Sequence, residues 1–275
     1  MKLDISSSLK GKTALVSGGI SGIGKVTVDL LLEYGVNVAF TTRDNLDSCS
    51  LVGDFLAKGP HHLSAHKMDL SEPRTIRDCF KEVLNKWGNI DILVNNAAVG
   101  SATVEDFGAD LQAQDTFMFL INADGTLKMC QEFSSLPCNS KFSQRKIINI
   151  SSVGGGIQIF PNFRLSDGMS KSAVAHLTKQ LAAEYMHEAV DVFSICPGAT
   201  NTAMFQKSTL NKMSKLKREE FLTRLPKRRL IEPIEIANII VFLASEYSSV
   251  LNGAVIDASM GLGVRPGSLT EFNDH

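Results

Sequence analysis

A short apolar run, Thr13–Ser17, feeds directly into Ser17-Gly18-Gly19-Ile20-Ser21-Gly22-Ile23-Gly24, and a stretch with Leu30, Leu31 and Tyr34 on one helical face follows. A strand that enters a helix through so many glycines narrows the choice of fold. Glycines let the backbone turn tightly, and the helix start then presents unpaired N–H groups and the positive end of its dipole. The natural occupant of such a turn is a phosphate or pyrophosphate. Gly18, Ser21, Gly22, Ile23 and Gly24 are the candidate contacts.

The rest of the chain repeats the same alternation. Further β-rich apolar runs occur at Asn37–Thr41, His62–Lys67, Ile90–Asn95, Lys146–Ser151, Val190–Cys196 and Ala254–Asp257. Segments of helical spacing separate them, such as the one with Ile76, Phe80, Val83 and Leu84 on one face. Strand–helix alternation predicts a parallel sheet covered by helices on both faces. Right-handed crossovers then give an α/β, doubly wound, Rossmann-like sheet of about seven strands. No repeat or low-complexity linker interrupts the 275 residues, so a single domain over 1–275 is expected. The expected insertions are Pro137–Arg145 and a Lys/Arg-rich stretch, Phe205–Arg229, and the tail after Gly263 is expected to be loosely held.

Bulk properties exclude several function classes. A net charge of -1 offers no general field for nucleic acid. The longest greasy candidate, Ile239 to Ala244, is too short to span a bilayer, and residues 1–10 hold no signal-like apolar stretch. Cys49, Cys79, Cys130, Cys138 and Cys196 form no CxxC pair and read as reduced thiols of a cytoplasmic protein. His61, His62 and His66 make no metal-ligand spacing, so no metal is expected, and solvated or strand-flanking roles are assigned to them. His176 and His187 are assigned packing or surface positions on one long helix. Cys196 reads as a buried strand residue rather than a nucleophile.

The glycine spacing, GxxxGxG, resembles that of the short-chain dehydrogenase/reductase family, and the resemblance continues along nearly the whole chain. Asp69-Leu70 falls where that family contacts adenine. Asn95-Asn96-Ala97-Ala98 is similar to its NNAG motif, with Ala98 in place of glycine, and gives Asn96 and Ala97 as cofactor contacts. Asn122 matches an active-site asparagine. Asn149-Ile150-Ser151-Ser152 resembles the strand carrying the catalytic serine, here Ser152. Ser170-Lys171-Ser172-Ala173 resembles the segment of the catalytic lysine. Cys196-Pro197-Gly198-Ala199-Thr200-Asn201-Thr202 matches the PGxxxT loop that packs on nicotinamide, giving Pro197, Gly198, Thr200 and Thr202. Arg228 through Gly263 resembles the last helix and strand.

The resemblance implies an NAD(P)-dependent oxidoreductase with a substrate flap around residues 203–230. It also implies a homodimer or homotetramer, built by pairing helices at Thr103–Phe133 and Met169–His187. The second strand ends Phe40-Thr41-Thr42-Arg43-Asp44. Arg43 can grip a 2′-phosphate through two charge-assisted hydrogen bonds, which favours NADP(H) over NAD(H). The alternative is a solvated Arg43, with Asp44 reading the ribose of NAD.

One position departs from the family. Its catalytic tyrosine stands four residues before the lysine, whereas Asp167 stands there in this chain. Tyr34, Tyr185 and Tyr247 all lie outside the Ser152–Lys171 interval, which is slightly longer than the family's usual one, and the longer six-residue spacing falls on Arg164. Free tyrosine titrates near pKa ~10 and aspartate near ~3.9, and Lys171 with an oxidised nicotinamide is expected to push Asp167 lower still. Keeping an unperturbed aspartate protonated at pH 7 costs about 4 kcal/mol, which burial offsets in part. Three readings follow for Asp167: an acid/base working through water, a mark of a reaction whose proton comes from elsewhere, or a mark of a nucleotide-binding protein without turnover. A drifted loop with Asp167 facing solvent is the bland alternative. The leading expectation is hydride transfer between NADP(H) and a small carbonyl, alcohol or activated alkene, with Asn122, Ser152, Asp167 and Lys171 as the catalytic set. The alternative is a catalytically impaired partner subunit or sensor. The basic flap, with Lys215, Lys217, Arg218, Lys227, Arg228 and Arg229, reads either as a solvated face or as steering for an anionic substrate.

Overall fold

The computed structural model describes residues 3–46, 53, 61–106, 108, 110–137, 144–161 and 163–267. A short helix α1 (Ile5–Leu9) precedes strand β1 (Thr13–Val16). Helix α2 (Gly22–Glu33) joins β1 to β2 (Asn37–Thr42), and β3 (Leu63–Lys67) follows. Helix α3 (Pro73–Trp87) leads to β4 (Ile92–Asn95). Helices α4 (Ser101–Glu105) and α5 (Leu111–Phe119), a π-helical turn (Leu120–Gly125) and α6 (Thr126–Ser135) come before β5 (Arg145–Ile150). Helix α7 (Leu165–Glu184) leads to β6 (Val190–Pro197). The flap helices α8 (Ala203–Ser208) and α9 (Lys215–Arg224) precede α10 (Pro233–Ala244) and β7 (Val255–Ala258).

All seven strands pair in parallel, in the order β3-β2-β1-β4-β5-β6-β7. Each expected strand is present, with its ends within two residues of the sequence reading. The strands are apolar throughout because both sheet faces are covered. Alternation along them divides the core in two. Ala14, Val16, Val38, Phe40, Ile92, Val94, Ile148, Phe193 and Ile195 pack on the side holding Val28 and Leu31 of α2 and Ile236 and Ile240 of α10. Leu15, Ala39, Leu93, Ile147 and Val192 face Ile76 and Phe80 of α3, Met129 and Phe133 of α6 and Leu181 of α7.

The chain order reverses between β1 and β4, so the loops leaving their C-terminal ends part and open a crevice. The functional candidates gather there. At the opposite, N-terminal ends of the strands lies a buried ionic group. Lys146, with no exposed surface, pairs with Asp191 at 2.5 Å and donates to Ser248 and Ser249.

Several expectations need correction. The helix foreseen over Thr103–Phe133 is not continuous. Asp110 caps the start of α5 by accepting from the Gln112 amide, and the π-helical turn separates α5 from α6. Helix α7 starts at Leu165, before the expected Met169, and therefore contains Asp167. The insertion foreseen at Pro137–Arg145 ends earlier, because Arg145 opens β5; residues 138–143, with Cys138, and also Cys49, lie outside the described residues. His66 is not solvated: it is buried in β3, with Glu82 at 2.7 Å and Ser64 at 2.8 Å from its two ring nitrogens. Cys79, Cys130 and Cys196 are buried free thiols. Among the described residues, no helix is long and apolar enough to cross a membrane.

Candidate active site

The glycine turn is tied down from three sides. The Gly18 amide donates to Thr41 Oγ1 of β2 at 3.3 Å. Asn96, just past β4, donates through Nδ2 to the carbonyls of Ser17 and Gly18, at 3.0 Å each. Ser17 Oγ accepts from the backbone amides of Asn96 and Ala97, at 3.0 Å each. Gly18 adopts φ +64°, and a Cβ there would stand 3.0 Å from Ala97 Cα. A Cβ at Gly24 would stand 2.2 Å from the Gly18 carbonyl oxygen and 2.4 Å from Asn96 Nδ2. Only glycine fits this closure of helix on turn. Ser21 caps α2 without a side-chain hydrogen bond, so the first amides of a twelve-residue helix are not bonded by their cap. That arrangement suits a diphosphate.

A cavity of about 970 Å³ runs from this turn to the flap. Every candidate residue lines it except Gly24 and Asn122. Gly24 acts through packing, as described above. Asn122 is 1% exposed; its Oδ1 accepts from the Val99 amide, and its Nδ2 donates to the Val99 carbonyl and to Ser170 Oγ. It fastens the π-helical turn to the segment after β4 and to α7, behind the cavity wall. Asn96 and Ala97 reach the cavity but also support the turn. Asp69 lines the cavity while its Oδ1 accepts from the amide and hydroxyl of Ser71. At the end of β2, Thr42 and Arg43 line the cavity, whereas Asp44 turns back to Thr42, whose Oγ1 accepts from the Asp44 amide and donates to its carboxylate.

On the far wall, Ser152, Asp167 and Lys171 come together. Just past β5 the two serines face differently: Ser151 is buried and donates to the Lys171 carbonyl, while Ser152 is half-buried and accepts from the Gly154 amide. Lys171 is 8% exposed, and its Nζ donates to the Ile150 carbonyl at 3.2 Å. Asp167 occupies the first turn of α7, one turn before Lys171, where the helix dipole favours an acidic residue. It is not on a drifted, solvent-facing loop. The turn before it is fixed by close backbone contact: a Cβ at Gly155 would lie 2.1 Å from the Gly168 carbonyl oxygen, and Ser172 Oγ donates to the carbonyls of both Gly155 and Gly168.

Burial dominates the electrostatics. It pushes the Asp167 carboxyl above the ordinary aspartate value, against the opposing pull of Lys171 and Arg164. This corrects the expectation that the lysine would drive Asp167 lower. Burial likewise lowers Lys171, with Asp167 and then Cys196 opposing it. Desolvation penalises the charged form of each group, and at this depth that effect exceeds their mutual attraction.

Two contributors were not foreseen. Arg164 lines the cavity and is held by Asp115 on α5 at 2.6 Å, by Gln114 at 3.0 Å and by Ser166 at 3.1 Å. Bonds from Ser166 and Arg164 hold the Asp115 carboxyl below its ordinary value. Phe160 and Phe163 bring aromatic rings to the wall near Asp167. The sequence offered one hint, the grouping of Phe160, Phe163 and Arg164 within five residues shortly before Lys171.

The family model described as Enoyl-(Acyl carrier protein) reductase matches residues 18–263. The oxidoreductase UcpA of Salmonella typhimurium is 33% identical over 261 residues, 92% of this chain and 96% of that protein. The 3-oxoacyl-[acyl-carrier-protein] reductase FabG of Thermotoga maritima is 31% identical over 258 residues, 92% of this chain and 98% of that protein. Among solved structures, the Pseudomonas aeruginosa RhlG/NADP active-site complex superposes with a TM-score of 0.81 at 27% identity, covering 95% of this chain and 100% of that one. The Brucella melitensis 3-oxoacyl-[acyl-carrier protein] reductase in complex with NAD gives 0.80 at 26% identity, over 93% and 98% of the two chains. With this similarity along almost its whole length, the chain belongs to the short-chain dehydrogenase/reductase family of NAD(P)-dependent oxidoreductases.

Proposed function

We propose that this protein transfers hydride between NADP(H) and a small carbonyl or alcohol, or an activated alkene, with Asp167 handling the proton that a tyrosine handles elsewhere in the family. The observation that carries the reading is the convergence of Ser152, Asp167 and Lys171 on a cavity that also holds the glycine turn. The closure of Gly24 on Gly18 and the open start of α2 fit a diphosphate, and the Pro197–Thr202 loop reaches the same cavity where nicotinamide would lie. NADP(H), when bound, supplies or accepts the hydride. Ser152 would hydrogen-bond the substrate oxygen through its hydroxyl and keep its own proton. Lys171 would hold the nicotinamide ribose. Asn122 would keep α7 and the segment after β4 in register.

Asp167 carries the acid/base step in this reading. In carbonyl reduction the new alcohol needs one proton, which a protonated Asp167 gives through a bridging water, leaving a carboxylate. In alcohol oxidation the carboxylate takes that proton back. Burial favours the protonated form, so the cost of holding a proton there at neutral pH is smaller than for a free aspartate.

Two solved relatives carry NADP and NAD respectively, so kinship does not choose the nucleotide. Arg43 on the cavity wall, with Asp44 turned to Thr42, supports NADP(H). Leu165 and Met169, 82% and 59% exposed on α7, support a homodimer or homotetramer through this helix. The three buried free thiols accord with a cytoplasmic location.

The test combines NADPH and NADH fluorescence titration with stopped-flow turnover over a carbonyl and alcohol panel. NADPH binding with turnover that Asp167→Asn abolishes is the expected result, and Asp167→Tyr should raise reductase rates. Sound nucleotide binding without hydride transfer on any substrate would instead favour a partner or sensor role.

A further inference from the structure

The flap's basic side chains are mostly answered within the protein. Lys207 pairs with Asp106 at 2.6 Å and Lys212 with Glu105 at 2.8 Å. Arg224 pairs with Glu220 at 2.5 Å and Arg229 with Glu235 at 2.6 Å, and Arg218 donates to Gln206 at 3.0 Å. Lys217 differs. Like Lys215 and Arg228 it has no acidic partner among the described contacts, but unlike them it lines the cavity. It stands one helical turn before Phe221, on the same face of α9. Phe221 packs against Phe205, with ring centroids 6.2 Å apart, and Phe160, Phe163, Met204 and Met213 continue an apolar lining.

Resting on the oxidoreductase reading above, we infer that the substrate joins an apolar body, which lies along these rings, to an anionic group that meets Lys217. The charge layout also gives the substrate a direction. On the far wall the cations are already answered, Lys171 by the neighbouring Asp167 and Arg164 by Asp115 at 2.6 Å, and at the flap Glu220 is occupied by Arg224. The anionic end therefore stays at the flap, and the opposite end reaches Ser152.

The test is calorimetry on the full-length protein saturated with NADPH, comparing decanoate with decanamide, which share a chain and differ in charge. Decanoate should bind about three- to fivefold more tightly, the scale of one partly exposed ion pair, and 0.5 M NaCl should erase the difference. Lys217→Gln should bring the ratio to about one, and Lys217→Glu should reverse it, with NADPH affinity retained in both. Equal binding of the two ligands in the wild type, binding of neither, or an unchanged ratio in Lys217→Gln would each overturn the inference while leaving the nucleotide reading intact. Failure of the wild-type protein to bind NADPH would overturn that underlying reading instead.

Discussion

Replacing Gly24 with alanine tests the proposed nucleotide-binding role of the glycine turn at its tightest point. The new Cβ would meet the Gly18 carbonyl oxygen at 2.2 Å and Asn96 Nδ2 at 2.4 Å, against an ordinary contact near 3.4 Å. Something must move by about 1 Å, and both obstacles belong to the turn itself. Overpacking of this kind costs about 1–3 kcal/mol. Displacing Asn96 also weakens its two 3.0 Å bonds to the Ser17 and Gly18 carbonyls, each worth about 1 kcal/mol net. Alanine recovers up to about 1 kcal/mol through its better helix propensity. The net penalty is about 2–4 kcal/mol. The turn can shift without unfolding the sheet, so most of the penalty should appear in binding. NADPH affinity should fall at least about thirtyfold, with a drop of only a few degrees in Tm. The assay is fluorescence titration with NADPH beside a thermal melt. Gly88→Ala serves as the control for binding: its Cβ meets no atom within 4 Å, so only its φ of +82° costs stability, and NADPH affinity should be unchanged. A Gly24→Ala protein that binds NADPH within threefold of the wild type would refute the reasoning.

Other perturbations probe separate parts of the molecule. Arg43→Ala should reduce the preference for NADPH over NADH by about tenfold or more, measured as a ratio of Kd values, because charge-assisted hydrogen bonds are worth about 1.5–3 kcal/mol. Asp167→Asn should raise Tm at pH 7. A folded-state carboxyl held above its unfolded value penalises the fold once ionised; this penalty is present above the folded pKa and vanishes as pH falls below the unfolded value, so the two melting curves should converge near pH 4. Asp191→Ala leaves the Lys146 ammonium buried without its carboxylate and should cost about 3–5 kcal/mol in urea melts. That deficit should shrink as pH rises from 7 towards 10. Lys146 is already lowered by burial, so the folded protein sheds its proton while the unfolded chain still holds one, and stability then rises with pH.

The sequence by itself determined the sheet, because a strand buried on both faces must be apolar along its length and its turns must carry residues that break the run. It also determined the glycine turn, since the glycines at 18, 22 and 24 are intelligible from backbone sterics alone, and it singled out Ser152, Asp167 and Lys171 through their order along the chain. Tertiary structure decided what no local pattern encodes. The Asp110 cap that starts α5 and the π-helical turn between α5 and α6 interrupt a stretch whose apolar spacing reads as continuous helix. Asn122 turns its amide inward because its partners, Val99 and Ser170, are 23 and 48 residues away. The Asp167 carboxyl moves up rather than down because desolvation is set by everything packed around it, whereas the neighbouring lysine is all that the sequence displays. Lys217 is distinguished only once the flap has folded over the cavity, because Lys217 and Arg224 are the flap cations that line it and Arg224 is already paired with Glu220. Hydrophobic periodicity and turn chemistry act over a few residues and so are written in sequence, while solvation and charge pairing depend on which distant segments the fold brings into contact.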